Sequence, residues 1–211
     1  EVSPSAPPDR LAADLARAIG GTLGFRGDSG VFAGPEGSYL DQVIARRTGL
    51  PILLAIVWMR LGARIGVPVS GIGYPGHFLA RLDLPGAPIY VDPFAGGTVV
   101  DAGDLLARLP PGVPRSLLDP SPTRAIVHRV LTNLKHLHVD RGEHDLALGV
   151  VDRLLLVSGE VPVEVRDRGL LLLRLSRTHE GVRDLERYLA LSPDAPDRPA
   201  VEAVLTRARR A

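Results

Sequence analysis

Apolar and polar positions along this chain keep two different rhythms, and the changeover falls between residues 110 and 122. Residues 1–10 are polar and proline-rich, a pattern that predicts a loosely attached lead. Leu11–Ile19 spaces its apolar residues along one face of a short helix and ends at Gly20-Gly21. The glycines between Gly24 and Gly37 predict a loop region. Ser38 stands where it would cap a helix from Tyr39 to about Arg47, with Asp41 at the capping-box position. Thr48-Gly49 interrupts that helix. Pro51 suits the first turn of the next one, which runs to about Ile65 and stops at Gly66-Val67-Pro68. Its apolar residues wrap nearly all round, so it is expected to be a buried central helix. Strand-like segments follow at Val67–Ile72, Phe78–Leu82 and Ile89–Val91, and the turn Asp83–Pro88 makes the last two a hairpin.

After the proline-rich stretch Pro110–Pro114, leucines recur at helical spacing and no long glycine or proline cluster returns. The second half also repeats itself. A shift of 34 residues sets Ala147–Ser158 on Gly181–Ser192, with Asp152 on Glu186, Arg153 on Arg187, Leu154-Leu155 on Tyr188-Leu189 and Ser158 on Ser192. That period is the one of tetratricopeptide helix–turn–helix units. With flanking helices at about 123–139 and 197–210, it predicts a short helical array. The organisation expected is a flexible lead at 1–10, an α+β core at 11–120 and helical repeats at 121–211.

Composition then narrows the chemistry. The 211 residues carry a net charge of +1, which gives no electrostatic reason to expect nucleic acid or an anionic membrane. Lys135 is the sole lysine, and there is no cysteine, so disulfides, thiolate metal ligands and a thiol nucleophile are excluded. The longest apolar run, Leu50–Met59, is too short to span a bilayer, and Glu1–Arg10 carries no signal-peptide pattern. A soluble, cytoplasmic protein is expected, with no cofactor.

The candidate chemistry centres on two segments, Gly76-His77-Phe78 and Ile89-Tyr90-Val91-Asp92-Pro93-Phe94. Alternation puts His77, Leu79 and Arg81 on one strand face, and Tyr90 and Asp92 on one face of the partner strand. If Asp92 lies opposite His77 or Leu79, carboxylate and imidazole come within reach. They would then form an oriented general base, the half of a catalytic triad in which an aspartate fixes the tautomer. The alternative is an exposed histidine at a strand start and an aspartate turning the chain before Pro93. Tyr74, Arg81 and Tyr90 are the polar groups available to position a substrate. Gly27-Asp28-Ser29-Gly30 spells a serine-protease nucleophile loop, but four-residue matches in a glycine-rich loop arise readily, and the histidine should precede it. Ser38 reads as a cap and Ser70 as a strand residue. His136, His138, Asp140 and His144 invite a metal, yet Gly142 should end their helix and scatter them. Arg166-Asp167-Arg168 reads as a helix surface with local ion pairs, and Arg207, Arg209 and Arg210 as a helix C-terminus.

The order of motifs resembles a bacterial family, the SirB-type transglutaminase-like proteins with C-terminal tetratricopeptide repeats. Gly24-Phe25-Arg26-Gly27, Ser38–Val43, Arg46–Ile52, Pro75-Gly76-His77-Phe78 and Val91–Phe94 with Gly96-Gly97 carry the resemblance. So do Asn133-Leu134-Lys135, Arg166–Gly169 and Asp184–Leu189, for a span of about 11 to 205. It implies a papain-like core in which a central helix packs on a small antiparallel sheet. In cysteine transglutaminases the nucleophile opens that helix. Counting back from Gly66-Val67-Pro68 puts its position on Pro51 or Ile52, neither of which has a nucleophilic atom. The family also carries further helices before the first motif, so the N-terminal portion is expected to be shortened. Two functions follow as expectations. One is a binding or scaffold module in which the repeats hold a protein or peptide. The other is a non-covalent hydrolase or cyclase acting on a small amide or ester through a His77–Asp92 base.

Overall fold

The computed structural model describes residues 2–32 and 34–210. The chain divides into two compact units, Glu1–Ile126 and Val127–Ala211.

The first unit is α+β. Helix α1 (Pro8–Ala16) starts inside the expected lead, and Leu11, Ala12 and Leu15 are buried. It does not stop at Gly20-Gly21 but continues as a wider π turn over Arg17–Thr22, burying Ile19. Gly20 lies so close to the Gly96 backbone that no Cβ would fit, so a packing demand overrides the breaker signal. Ser38 is not a cap. It ends a 3₁₀ turn, Pro35–Ser38, and helix α2 (Leu40–Arg46) begins after Tyr39 with no side-chain cap bond. Helix α3 (Pro51–Arg64) is the buried central helix, with Ile52, Leu53, Leu54, Ala55, Val57, Trp58 and Gly62 all enclosed. Gly66, at φ 76°, turns the chain out of it.

Four antiparallel strands follow in the order β1 (Val69–Tyr74), β2 (His77–Leu82), β3 (Ile89–Asp92) and β4 (Thr98–Val100). The β1–β2 turn is Pro75-Gly76 alone, with Tyr74 paired to His77. Strand β4, helix α4 (Ala102–Ala107) and the 3₁₀ turn Arg115–Leu118 were not anticipated from the pattern. One sheet face packs on α3, where Gly62 lets Val69 and the Val67 carbonyl approach. The other buries Ile72, Leu79 and Tyr90 against Leu105 of α4 and Leu118.

Helix α5 (Thr123–Asp140) leads into the second unit, followed by α6 (His144–Ser158), α7 (Pro162–Arg174), α8 (Thr178–Leu191) and α9 (Arg198–Ala208). The 34-residue shift maps α6 onto α8, and Leu154 and Tyr188, matched by it, are both buried. Helices α7 and α8 cross at Gly169 and Gly181, where an added Cβ would lie about 3 Å from the opposite backbone carbonyl. The sole lysine is enclosed. Lys135 of α5 donates from Nζ to both oxygens of Glu164 at 2.9 Å and to Asp167 Oδ2 at 2.8 Å, with Lys135 and Glu164 only 5% and 3% exposed. Burial opposes its charge, but the two carboxylates outweigh burial and raise its pKa.

Breaking this cluster from one side should be costly, because a buried carboxylate would lose its counter-ion. Lys135→Met is expected to destabilise the helical unit by about 3–5 kcal/mol, while Lys135→Met with Glu164→Leu should recover much of that loss. Urea unfolding followed by circular dichroism measures both; equal losses in the single and double variants would contradict the account.

Candidate functional site

The site is built from the end of one strand and the turn after another. The β2–β3 ladder pairs Ala80 with Val91 and Arg81 with Tyr90, so its next step sets Asp92 level with Leu79. His77, two residues before Leu79, shares that sheet face. Its Nε2 lies 2.8 Å from Asp92 Oδ1, with the side chains 27% and 21% exposed.

Asp92 is held by more than the imidazole. Pro93 starts the turn into β4, and the same Oδ1 accepts from the backbone N–H of Phe94 at 2.9 Å and of Ala95 at 3.3 Å. The Asp92 carbonyl accepts from Gly97 N–H at 2.7 Å, closing the turn. Burial alone would raise its pKa, but the hydrogen bond and charge of His77, with the two backbone donors, hold the carboxyl below the usual range. An ionised Asp92 is acceptor-only, so His77 donates from Nε2 and the accepting nitrogen of the neutral ring is Nδ1. The two ring nitrogens thus exchange the roles they have in the Ser-His-Asp triad, where Nδ1 donates to the aspartate and Nε2 is the base.

A relay of contacts joins the dyad to the stretch just before α3. Phe94 meets His77 edge-on with ring centroids 6.1 Å apart. Gly27 N–H donates to the Phe94 carbonyl at 2.7 Å, and the Phe94 ring occupies the space a Gly27 side chain would need. Arg26 bridges Thr48, and Leu50 N–H donates to the Gly37 carbonyl. Pro51 and Ile52 then open α3, with Ile52 2% exposed. Pairing His77 with Asp92 was legible from spacing; the part played by Phe94 and Gly27 was not, because it depends on contacts between distant loops.

Tyr74 is paired with His77 across the β1–β2 turn, and Arg81 and Tyr90 pair with each other on the same sheet face. The Tyr74 hydroxyl donates to the Leu105 carbonyl at 2.8 Å, and the Tyr90 hydroxyl, on a buried ring, to the Leu118 carbonyl at 3.4 Å. Arg81 bonds Asp83 at 2.6 Å and the Leu118 carbonyl at 3.2 Å. All three hold the covering layer on the sheet. In the Gly27–Gly30 loop, Asp28 accepts from Gly30 N–H at 2.8 Å, a local turn. The histidine cluster does not assemble. Helix α5 ends at Asp140, His138 is buried and bonded to Glu143 at 2.7 Å, and no three ligand-type residues gather for a metal among the described residues. Arg166 and Arg168 pair internally, with Asp197 at 2.7 Å and Asp184 at 2.6 Å. No helix among the described residues is long and apolar enough to cross a membrane.

These features place the chain among known proteins. The profile of the Transglutaminase-like superfamily matches residues 1–132, and that of the Tetratricopeptide repeat matches residues 134–206. The chain belongs to the transglutaminase-like superfamily, with tetratricopeptide repeats following its core. It is similar to a UPF0162 protein of Xylella fastidiosa, 37% identical over 180 residues that cover 81% of this chain and 64% of the relative. A UPF0162 protein of Vibrio cholerae is 31% identical over 82% of this chain and 66% of its own length. Protein SirB1 of Salmonella typhimurium is 26% identical over 93% and 75%. The chain therefore spans less than two thirds of the length of the Xylella relative. No solved structure matches it significantly.

Because folding depresses the Asp92 pKa, its contribution to stability is present above the unfolded value of 3.8 and is lost as pH falls through the lower folded value. Asp92→Asn is expected to cost about 1–3 kcal/mol near neutral pH, with the gap to the native chain closing in acid. Denaturation across pH measures this; a gap unchanged down to acid would show that the carboxylate charge contributes nothing.

Proposed function

We propose that this chain is a cysteine-less transglutaminase-like protein that works as a binding module, its helical repeats holding a protein or peptide partner. The observation that carries the reading is the nucleophile position. Pro51 and Ile52 offer only hydrocarbon, Ile52 is buried, and the chain contains no thiol to take their place. A helix N-terminus activates a thiolate by favouring its charge; at this one there is no charge to favour. Leu53 and Trp58 behind it are fully packed, as a scaffold requires. Helical repeats supply concave surfaces suited to holding an extended partner.

A second reading is favoured by one observation, the 2.8 Å contact of His77 with Asp92. In it the dyad activates water against a small amide or ester without a covalent intermediate, since base chemistry and nucleophilic chemistry contribute separately.

Two experiments separate these. Photo-crosslinking of the full chain to a partner captured from cells should place the links in helices α6 to α9; links confined to residues 11–120 would contradict the binding reading. Hydrolysis of an activated ester by the purified chain should not respond to His77→Ala. A fall of about a hundredfold or more, the usual contribution of a general base, would establish the enzymatic reading instead.

A further inference from the structure

The helical unit carries two adjoining hollows that share Leu170 and Arg174 of α7. The first, about 440 Å³, is walled by His136 of α5, His144 of α6 and Arg174, over Val139 and Leu171. The second, about 600 Å³, sets Arg174 and Arg207 of α9 around Leu170, Leu173 and Val204. Lys135 and Asp167 also reach the first hollow, but they are matched to each other, to Glu164 and to Arg166.

Most arginines of this unit sort into two groups. Arg141, Arg166, Arg168, Arg177, Arg187, Arg198 and Arg209 each meet a carboxylate at 3.0 Å or less. Arg174 and Arg207 meet none among the described residues, although both are exposed and both line the hollows. Arg153, Arg183 and Arg210 also lack one, but none of them lines these two hollows. Two unmatched guanidinium groups around an aliphatic floor, with no unmatched carboxylate on the lining, form a surface complementary to carboxylates flanking an apolar side chain. Guanidinium groups favour carboxylates because two N–H donors can meet two oxygens at once.

We propose that the paired hollows bind an extended acidic peptide segment, its carboxylates on Arg174 and Arg207 and an aliphatic side chain between them over Leu170. This rests on the binding reading above and names the partner's chemistry. A nucleic acid is the weaker match. Two arginines do not make the basic track that a phosphate backbone needs, and the lining holds no Phe, Tyr or Trp as a platform for bases.

The test is fluorescence anisotropy on the full chain. The probe is a labelled decapeptide with glutamates on either side of a leucine, compared with its glutamine counterpart. The acidic probe should bind, the glutamine probe should not, and added salt should weaken binding. Arg174→Gln with Arg207→Gln, two exposed changes that leave the fold intact, should lower affinity at least about tenfold. Equal binding by the double variant, or tighter binding of a single-stranded oligonucleotide through the same arginines, would overturn the proposal. Absence of probe binding while captured partners still crosslink to α6–α9 would overturn the acidic-peptide assignment and leave the binding reading standing. Crosslinks confined to the first unit would overturn both.

Discussion

The Asp92 carboxylate is the fixed point of the first unit. Its Oδ1 takes one imidazole and two backbone donors, and the turn it closes delivers Phe94 to Gly27 and Gly97 to the face of Trp58. Gly97 sits at φ 92° with the indole where its side chain would be, so turn, helix and sheet are set together. An aspartate bonded in this way would be needed even in a protein with no catalytic task. The oriented histidine beside it is therefore compatible with a scaffold as well as with a base.

The helical unit shows the opposite distribution of charge. Its charges are neutralised pair by pair, from buried Lys135 with Glu164 and Asp167, through half-buried Arg166 with Asp197, to Arg168 with Asp184. Buried and half-buried pairs of this kind add little net stability, but they penalise any arrangement that separates them. They fix the packing of α5, α7 and α8, so the hollows beside α7 are shaped before any partner arrives. A preformed surface loses less ordering entropy on binding than a flexible one.

How much of this was readable in the chain depended on the range of the interaction. Helix α3 was legible because a proline opens it, a glycine closes it and apolar residues surround it. The helical repeat was legible because Leu154 and Tyr188 recur at a fixed interval. The His77–Asp92 contact could be reached from strand alternation and a short connection. By contrast, Ser38 failed as a cap because Tyr39 takes the N-cap position, and the Gly20-Gly21 stop failed because the helix continues against Gly96. Strand β4 and helix α4 were hidden because three residues and six carry too little periodicity to register. Arg174 and Arg207 looked like ordinary surface arginines; what sets them apart is that they line the hollows without a carboxylate partner.

The central claim is that this chain engages its partner through the helical repeats and not through the dyad. Hydrogen–deuterium exchange of the full chain, with and without purified partner, measures this directly. Protection concentrated in Pro162–Arg174 and Arg198–Ala208 is the predicted result. Protection confined to His77–Asp92, with the repeats unchanged, would contradict it.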